Sequence, residues 1–209
     1  MQAGFEIQLI AVIVAVACAL PGTFLVLRKM ALMSDSITHT ILLGIVLAFF
    51  ITQDLSSPIL IVGAALMGLV TVWLTELVQK TKLVAEDSAI GVIFPLLFSI
   101  AVILITRSAG SVHLDTDSVL LGELAFAPFN RLVIGGMDIG AKAIYTSGLL
   151  LIINIAVIGF LFKEFKIVTF DPMLAGALGF SPVLLHYILM GLVSLTAVGA
   201  FEAVGSVLV

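Results

Sequence analysis

The stretch RKMALMSDSITHTILLG, residues 28 to 44, sets Asp35 and His39 at i and i+4 just as an apolar run begins. That spacing places a carboxylate and an imidazole on one face of a helix. Together they offer oxygen and nitrogen to one ion, a set suited to a divalent first-row cation: Mn²⁺ at the hard end, Zn²⁺ or Fe²⁺ further along. A plainer role is open to Asp35, or to Ser34, as the N-cap of the helix that follows, as Asp87 and Ser88 can cap a later one. His39 sits a turn inside, where capping does not account for it.

Other ionisable residues stand in apolar surroundings. Glu202, in AFEAVGSVLV, lies 20 residues past Pro182, which a straight helix converts to about 30 Å. It is either an intramembrane carboxylate or a residue of the far interface. The apolar sequence around it continues without a polar stop, which favours the first. His186, near the start of the same run, reads as an interfacial histidine. His113, Asp115 and Asp117 alternate within a polar stretch; they could capture a cation or simply face water.

Other chemistry is missing. No G-x-x-x-x-G-K-[ST] phosphate cradle occurs, so this chain is expected to hydrolyse no ATP itself. H-E-x-x-H and G-x-S-x-G are also absent, which weakens a hydrolase reading. One cysteine, Cys18, allows neither a disulfide framework nor a thiolate metal site.

The elements that must position these residues follow from composition. Of 209 residues 62% are hydrophobic and 11% charged, with a mean hydropathy of +1.33; a soluble domain carries about 25% charged residues. The chain is expected in a bilayer. Its formal net charge of −4 gives no basis for a nucleic-acid partner. Six stretches are long enough to span, near 7–27, 36–52, 58–78, 88–106, 143–162 and 183–209. The first has no basic leader and reads as a retained span. Of the nine basic residues, Arg28, Lys29, Lys80, Lys82, Lys163 and Lys166 fall in three alternate connections, and Arg107, Arg131 and Lys142 on the other side. Six against three puts the N-terminus outside and the stretch 107–142 with it.

The connection KEFKIVTFDPMLAGALGFSP (163–182) has helix punctuation. Asp171 can N-cap, Pro172 suits the first helical position, and Gly179 can close the C-terminus. This predicts a short cytoplasmic helix over 172–178, with Met173, Leu174, Ala177 and Leu178 available either for docking or for lying along headgroups. Ser181-Pro182 then opens the last span in the same way. Within the bundle, Ala11, Ala15 and Ala19 in the first span and Gly199, Ala200, Ala203 and Gly205 in the last suggest close helix approach. Pro21-Gly22 and Pro95 predict kinks or breaks.

Three ordered motifs then add up to a resemblance covering nearly the whole chain. VLRKMALMSDSITHTILLGIVLAFF, EDSAIGVIFPLLFSIAVIL and FDPMLAGALGFSPVLLHYILMGLVSLTAVGAFEAVG resemble signatures of the bacterial metal-ion ABC permeases. HLDTDSVLLGELAFAPFNRL and the F-E-A-V-G form look most like manganese-type members. The resemblance implies a polytopic all-α bundle in the bacterial cytoplasmic (inner) membrane, one permease domain over 1–209, importing Mn²⁺, or Zn²⁺ or Fe²⁺, by alternating access. It implies that Asp35 and His39 line the path and that Glu202 completes their site. The helix after Asp171-Pro172 would dock on a separate ATPase subunit that binds ATP. External loops near His113, Asp115 and Asp117 would receive metal from an extracytoplasmic binding protein, and a second permease subunit would form the other half of the path. Bringing Glu202 to Asp35 requires a broken or re-entrant last helix. Two features depart from the family pattern: members usually have further spans after A-V-G, and Pro95 stands where a small polar residue is expected. A secondary, ion-coupled transporter using the same carboxylates, or a non-transporting scaffold, are the readings from other classes.

Overall fold

The computed structural model describes residues 2–53, 57–108, 131–134 and 137–204. Among them run α1 (Gln2–Leu27), α2 (Ala31–Thr52), α3 (Ile59–Lys80) and α4 (Glu86–Ser108), then a hairpin of β1 (Arg131–Ile134) and β2 (Met137–Ala141). After it come α5 (Lys142–Phe160), α6 (Phe162–Phe170), α7 (Pro172–Ala177) and α8 (Pro182–Val204). Six of these, α1 to α5 and α8, are long and apolar enough to cross a membrane, as the sequence predicts. The hairpin is antiparallel, pairing Val133 with Asp138 and Ile134 with Met137. It lies in the stretch 107–142 read as an external loop, and α6 occupies the part of the 163–182 connection that precedes the predicted short helix.

Burial ranks the spans. Over half of the span residues of α2 and α8 are buried, 56% in each, against 33% for α1, α3 and α4 and 17% for α5. α2 and α8 therefore form the centre of the bundle. The outer faces carry Val12, Leu66, Trp73, Val92, Ile103 and Ile152 exposed, side chains that water would reject and hydrocarbon accepts.

Close approach occurs, though not where the alanine spacing of α1 suggests. Ala15 and Ala19 are exposed, and α1 packs instead through Ile10, Val14 and Ala17. A close backbone contact joins α2 to α3, where a Cβ on Gly44 would strike the Gly63 carbonyl, the Met67 Cβ and the Ala64 Cα. Gly199, in the predicted small-residue stretch of α8, does meet a neighbour, the Leu150 side chain of α5.

Neither internal proline breaks its helix. α1 continues through Pro21 and α4 through Pro95. Pro21 has no N–H to give the Ala17 carbonyl four residues back. The Asn154 side chain of α5 supplies one, with Nδ2 donating to that oxygen at 2.8 Å. Asn154 and Thr196 of α8 also hydrogen-bond each other at 2.9 Å, and both are buried. Helix interruptions in hydrocarbon survive only when neighbours satisfy the freed group in this way.

Side-chain contacts establish which ends coincide. The Arg28 Nε donates to the Thr169 Oγ1 at 3.1 Å, and His186 meets Glu76. The α1–α2, α3–α4 and α5–α8 connections, which carry the six basic residues, thus share one end, called here the basic end. At the other end Arg131 of the hairpin lies 3.5 Å from Glu6 of α1.

Candidate functional site

Asp35 is not a helix cap. α2 begins at Ala31, directly after a tight turn in which Lys29 takes a left-handed conformation (φ 61°), and its N-cap is Met30. Asp35 is therefore the fifth helical residue, and its carboxylate is not used to close a helix end. The His39 Nε2 stands 3.6 Å from the Asp35 Oδ1. Two ligand atoms each about 2.1 Å from one ion are roughly 3.0–3.4 Å apart at right-angle to tetrahedral geometry, so a small closing movement would let both hold the same cation. The imidazole rests on Phe94 and Phe98 of α4, with ring centroids 5.2 and 6.0 Å away, and this fixes its plane. Asp35 is 68% exposed and His39 24%. The pair therefore opens on the surface of the described bundle.

Glu202 lies on α8, and the sequence reading joins it to this pair only through a break in that helix. α8 runs unbroken to Val204, so the break needed to bring the two together is not present among the described residues. From the basic end, Glu202 is about 30 Å along α8 and His39 about 12 Å along α2. The Glu202 side chain, and all of His113, Asp115 and Asp117, lie outside the described residues. Among those described, no group of three or more His, Cys, Asp or Glu converges on a metal position.

The short helix forms where its punctuation predicts. The Leu174 N–H donates to the Asp171 Oδ1 at 2.9 Å, and Pro172 opens α7. Gly179 takes φ 89°, and the Phe180 N–H reaches the Ala175 carbonyl at 3.0 Å, ending the helix one residue before the predicted 178. Only Ala175 of α7 is buried; Met173 (87%), Leu174 (49%) and Leu178 (56%) stand out from the basic end. The Ser181 Oγ then accepts from the Leu184 N–H at 3.3 Å and caps α8.

Beside α7 lies a cluster that sequence reasoning missed. The Tyr187 hydroxyl donates to the Glu76 Oε2 at 2.7 Å, and the His186 Nε2 is 2.7 Å from the Oε1 of the same carboxylate. The second contact has the distance of an ion pair without hydrogen-bond alignment. His186, read as an interfacial histidine near the start of its span, is thus a partner of α3 within the bundle and 17% exposed. The signal was Glu76 itself, a carboxylate within an expected span. Arg28 completes the basic end: burial lowers its pKa from the ordinary value, though arginine keeps its charge at any physiological pH.

A bundle of six long apolar helices, with apolar side chains on its outer faces, is the membrane-embedded part of a multi-pass protein. The sequence matches the ABC 3 transport family over residues 3–209, and the chain belongs to that family. It is 50% identical over 204 residues to the zinc transport system membrane protein TroD of Treponema pallidum, covering 98% of this chain and 55% of TroD. It is 48% identical over 207 residues to the manganese transport system membrane protein MntD of Bacillus subtilis, covering 98% of this chain and 70% of that protein. Among solved structures, PsaBC from Streptococcus pneumoniae in complex with Fab superposes with a TM-score of 0.76 at 25% identity, over 100% of this chain and 68% of that one. The chain thus spans about half the length of TroD. Family and fold together place it in the bacterial inner membrane as a multi-pass protein.

Proposed function

We propose that the chain is the membrane-spanning permease subunit of an ABC importer for a divalent first-row metal ion. The observation that carries this is the Asp35–His39 pair, a carboxylate and an imidazole 3.6 Å apart on one face of the apolar span α2 and open to the surface of the described bundle. A surface-facing pair supplies two ligands and leaves the rest to a second permease subunit, homologous or identical, across the path. Alternating access would expose this site to one side and then the other. Glu202, about three helical turns further along the route than His39, would act on the ion at a different stage and not in the same coordination shell. His113, Asp115 and Asp117 would serve entry from an extracytoplasmic metal-binding protein.

The relatives divide between zinc and manganese at nearly equal identity, 50% and 48%, so the choice of ion rests on the ligands. Oxygen and imidazole without thiolate suit Mn²⁺, which must bind and leave, and Zn²⁺ or Fe²⁺ would compete. At the basic end, α7 presents Met173, Leu174 and Leu178 to a partner, with Asp171 and Pro172 holding its start and Ala177 on its exposed surface. This is the surface on which a separate ATP-binding subunit would push.

The test is radioactive manganese uptake by cells carrying the complete transporter, comparing wild type with Asp35→Asn and His39→Ala at matched membrane levels. Both variants are expected to lose uptake by at least about tenfold, the cost of one lost ligand interaction of 1.4 kcal/mol or more. Undiminished uptake in both would place the ion path elsewhere.

A further inference from the structure

The short helix α7 is tied to two different spans, one on each side of it. Two residues before its cap, Thr169 accepts from the Arg28 Nε of α1 at 3.1 Å. Beyond its C-terminus, and past the Ser181 cap, His186 and Tyr187 hold Glu76 near the end of α3. These are the first cross-helix polar ties met on leaving α7 in either direction among the described residues. Of these contacts, Arg28–Thr169 and Tyr187–Glu76 are aligned hydrogen bonds, at 3.1 and 2.7 Å.

The second tie continues toward the metal pair. Glu76 directly follows Thr75 in α3, and Thr71 lies five residues before it. The Thr75 hydroxyl donates to the Thr71 carbonyl at 2.8 Å, and the Thr71 hydroxyl donates to the Thr40 Oγ1 of α2 at 2.7 Å, all of them buried. Thr40 adjoins His39. Gly44 packs against Gly63 with no side chain between the two backbones, so α2 and α3 lie in close contact beyond Thr40. A second bond, from the Ser194 Oγ to the Ala65 carbonyl at 2.9 Å, joins α8 to α3 at greater depth. Packed helices with fixed polar ties move as bodies and do not deform smoothly.

Resting on the importer reading above, we propose that Glu76, with Tyr187 and His186, is the joint through which movement of α7 reaches Asp35 and His39. α8 carries the displacement to Glu76, α3 carries it to Thr71, and Thr71 passes it to α2 beside His39. Arg28 and Thr169 hold the other side of α7 to α1, so a push on α7 shears α3 and α2 against α1. None of these residues touches the ion; they are positioning residues.

The complete transporter, with its ATPase subunits, is reconstituted in lipid vesicles, and manganese ions taken up per ATP hydrolysed are measured for wild type, Glu76→Gln, Tyr187→Phe and Thr71→Val. Thermal stability and ATPase co-purification are recorded for each. Tyr187→Phe and Thr71→Val remove single hydroxyls and preserve shape, so folded protein is expected. The proposal predicts that ATP hydrolysis persists while ions per ATP fall about two- to thirtyfold, the range expected for altered coupling along a network. It is overturned if ions per ATP stay at the wild-type value in all three variants, whether or not stability falls, or if uptake and hydrolysis decline in parallel. A wild-type complex showing no metal uptake would instead sink the importer reading.

Discussion

Asn154 donates to the Ala17 carbonyl at 2.8 Å, the acceptor that Pro21 leaves without its helical N–H. One residue of α5 thereby allows a proline in the middle of α1, and Thr196 fixes the amide from α8. Removal of the amide leaves a carbonyl unsatisfied in a setting where water does not reach it.

Asn154→Leu is expected to cost about 1–2 kcal/mol, the upper range for hydrogen bonds between membrane helices. In a Pro21→Ala background the helical N–H returns, and the same substitution should cost less. Unfolding in mixed detergent micelles checks both, and equal costs in the two backgrounds would show that Asn154 does not serve the proline.

Gly44→Ala and Gly199→Ala make the same chemical change with different neighbours. At Gly44 the new methyl meets backbone of α3, the Gly63 carbonyl and the Ala64 Cα; at Gly199 it meets the end of the Leu150 side chain. Backbone cannot yield and a leucine rotamer can. Gly44→Ala is expected to cost about 1–3 kcal/mol and Gly199→Ala clearly less. Size-exclusion profiles of detergent-extracted protein, with thermal midpoints, should rank them in that order.

His39 is held between Phe94 and Phe98. Phe98→Ala should leave both metal ligands in place yet loosen the imidazole, raising the half-saturating manganese concentration by about tenfold, as loss of an orienting neighbour does at metal sites. An unchanged concentration dependence would mean that the ring contacts contribute packing only.

Leu174→Asp replaces an exposed apolar residue of α7. It is expected to abolish co-purification of the ATPase subunit while membrane insertion stays normal. Asp171→Ala removes the cap bond to the Leu174 N–H at a cost of about 1 kcal/mol to the helix, and so should weaken co-purification without abolishing it. Equal recovery of the ATPase from all three proteins would move the docking surface away from α7.

What was legible locally has a local cause. The six spans follow from the length and continuity of apolar runs, and α7 from Asp171, Pro172 and Gly179, whose effects act within four residues. The Asp35–His39 pair was visible because helical spacing alone brings i and i+4 together. Asp35 as a cap was a wrong alternative for the same reason: a start at Ala31 instead of residue 36 depends on the tight turn at Lys29, which carries no glycine to announce it. The alanine spacing in α1 misled, since which face of an all-apolar helix is buried depends on its neighbours and not on its own sequence.

The sequence by itself determined that this is a multi-pass helical protein, which ends of its spans carry charge, and which two residues of α2 share a face. The physical reason is that a bilayer demands continuous apolar length and a helix repeats at short range. Only the tertiary structure decided that α8 runs unbroken to Val204, that Asn154 reaches the Ala17 carbonyl from 137 residues away, and that Glu76 is gripped by Tyr187 from 111 residues away. Those relations are set by which helices lie side by side, and bonds across such separations leave no periodicity in the chain to read.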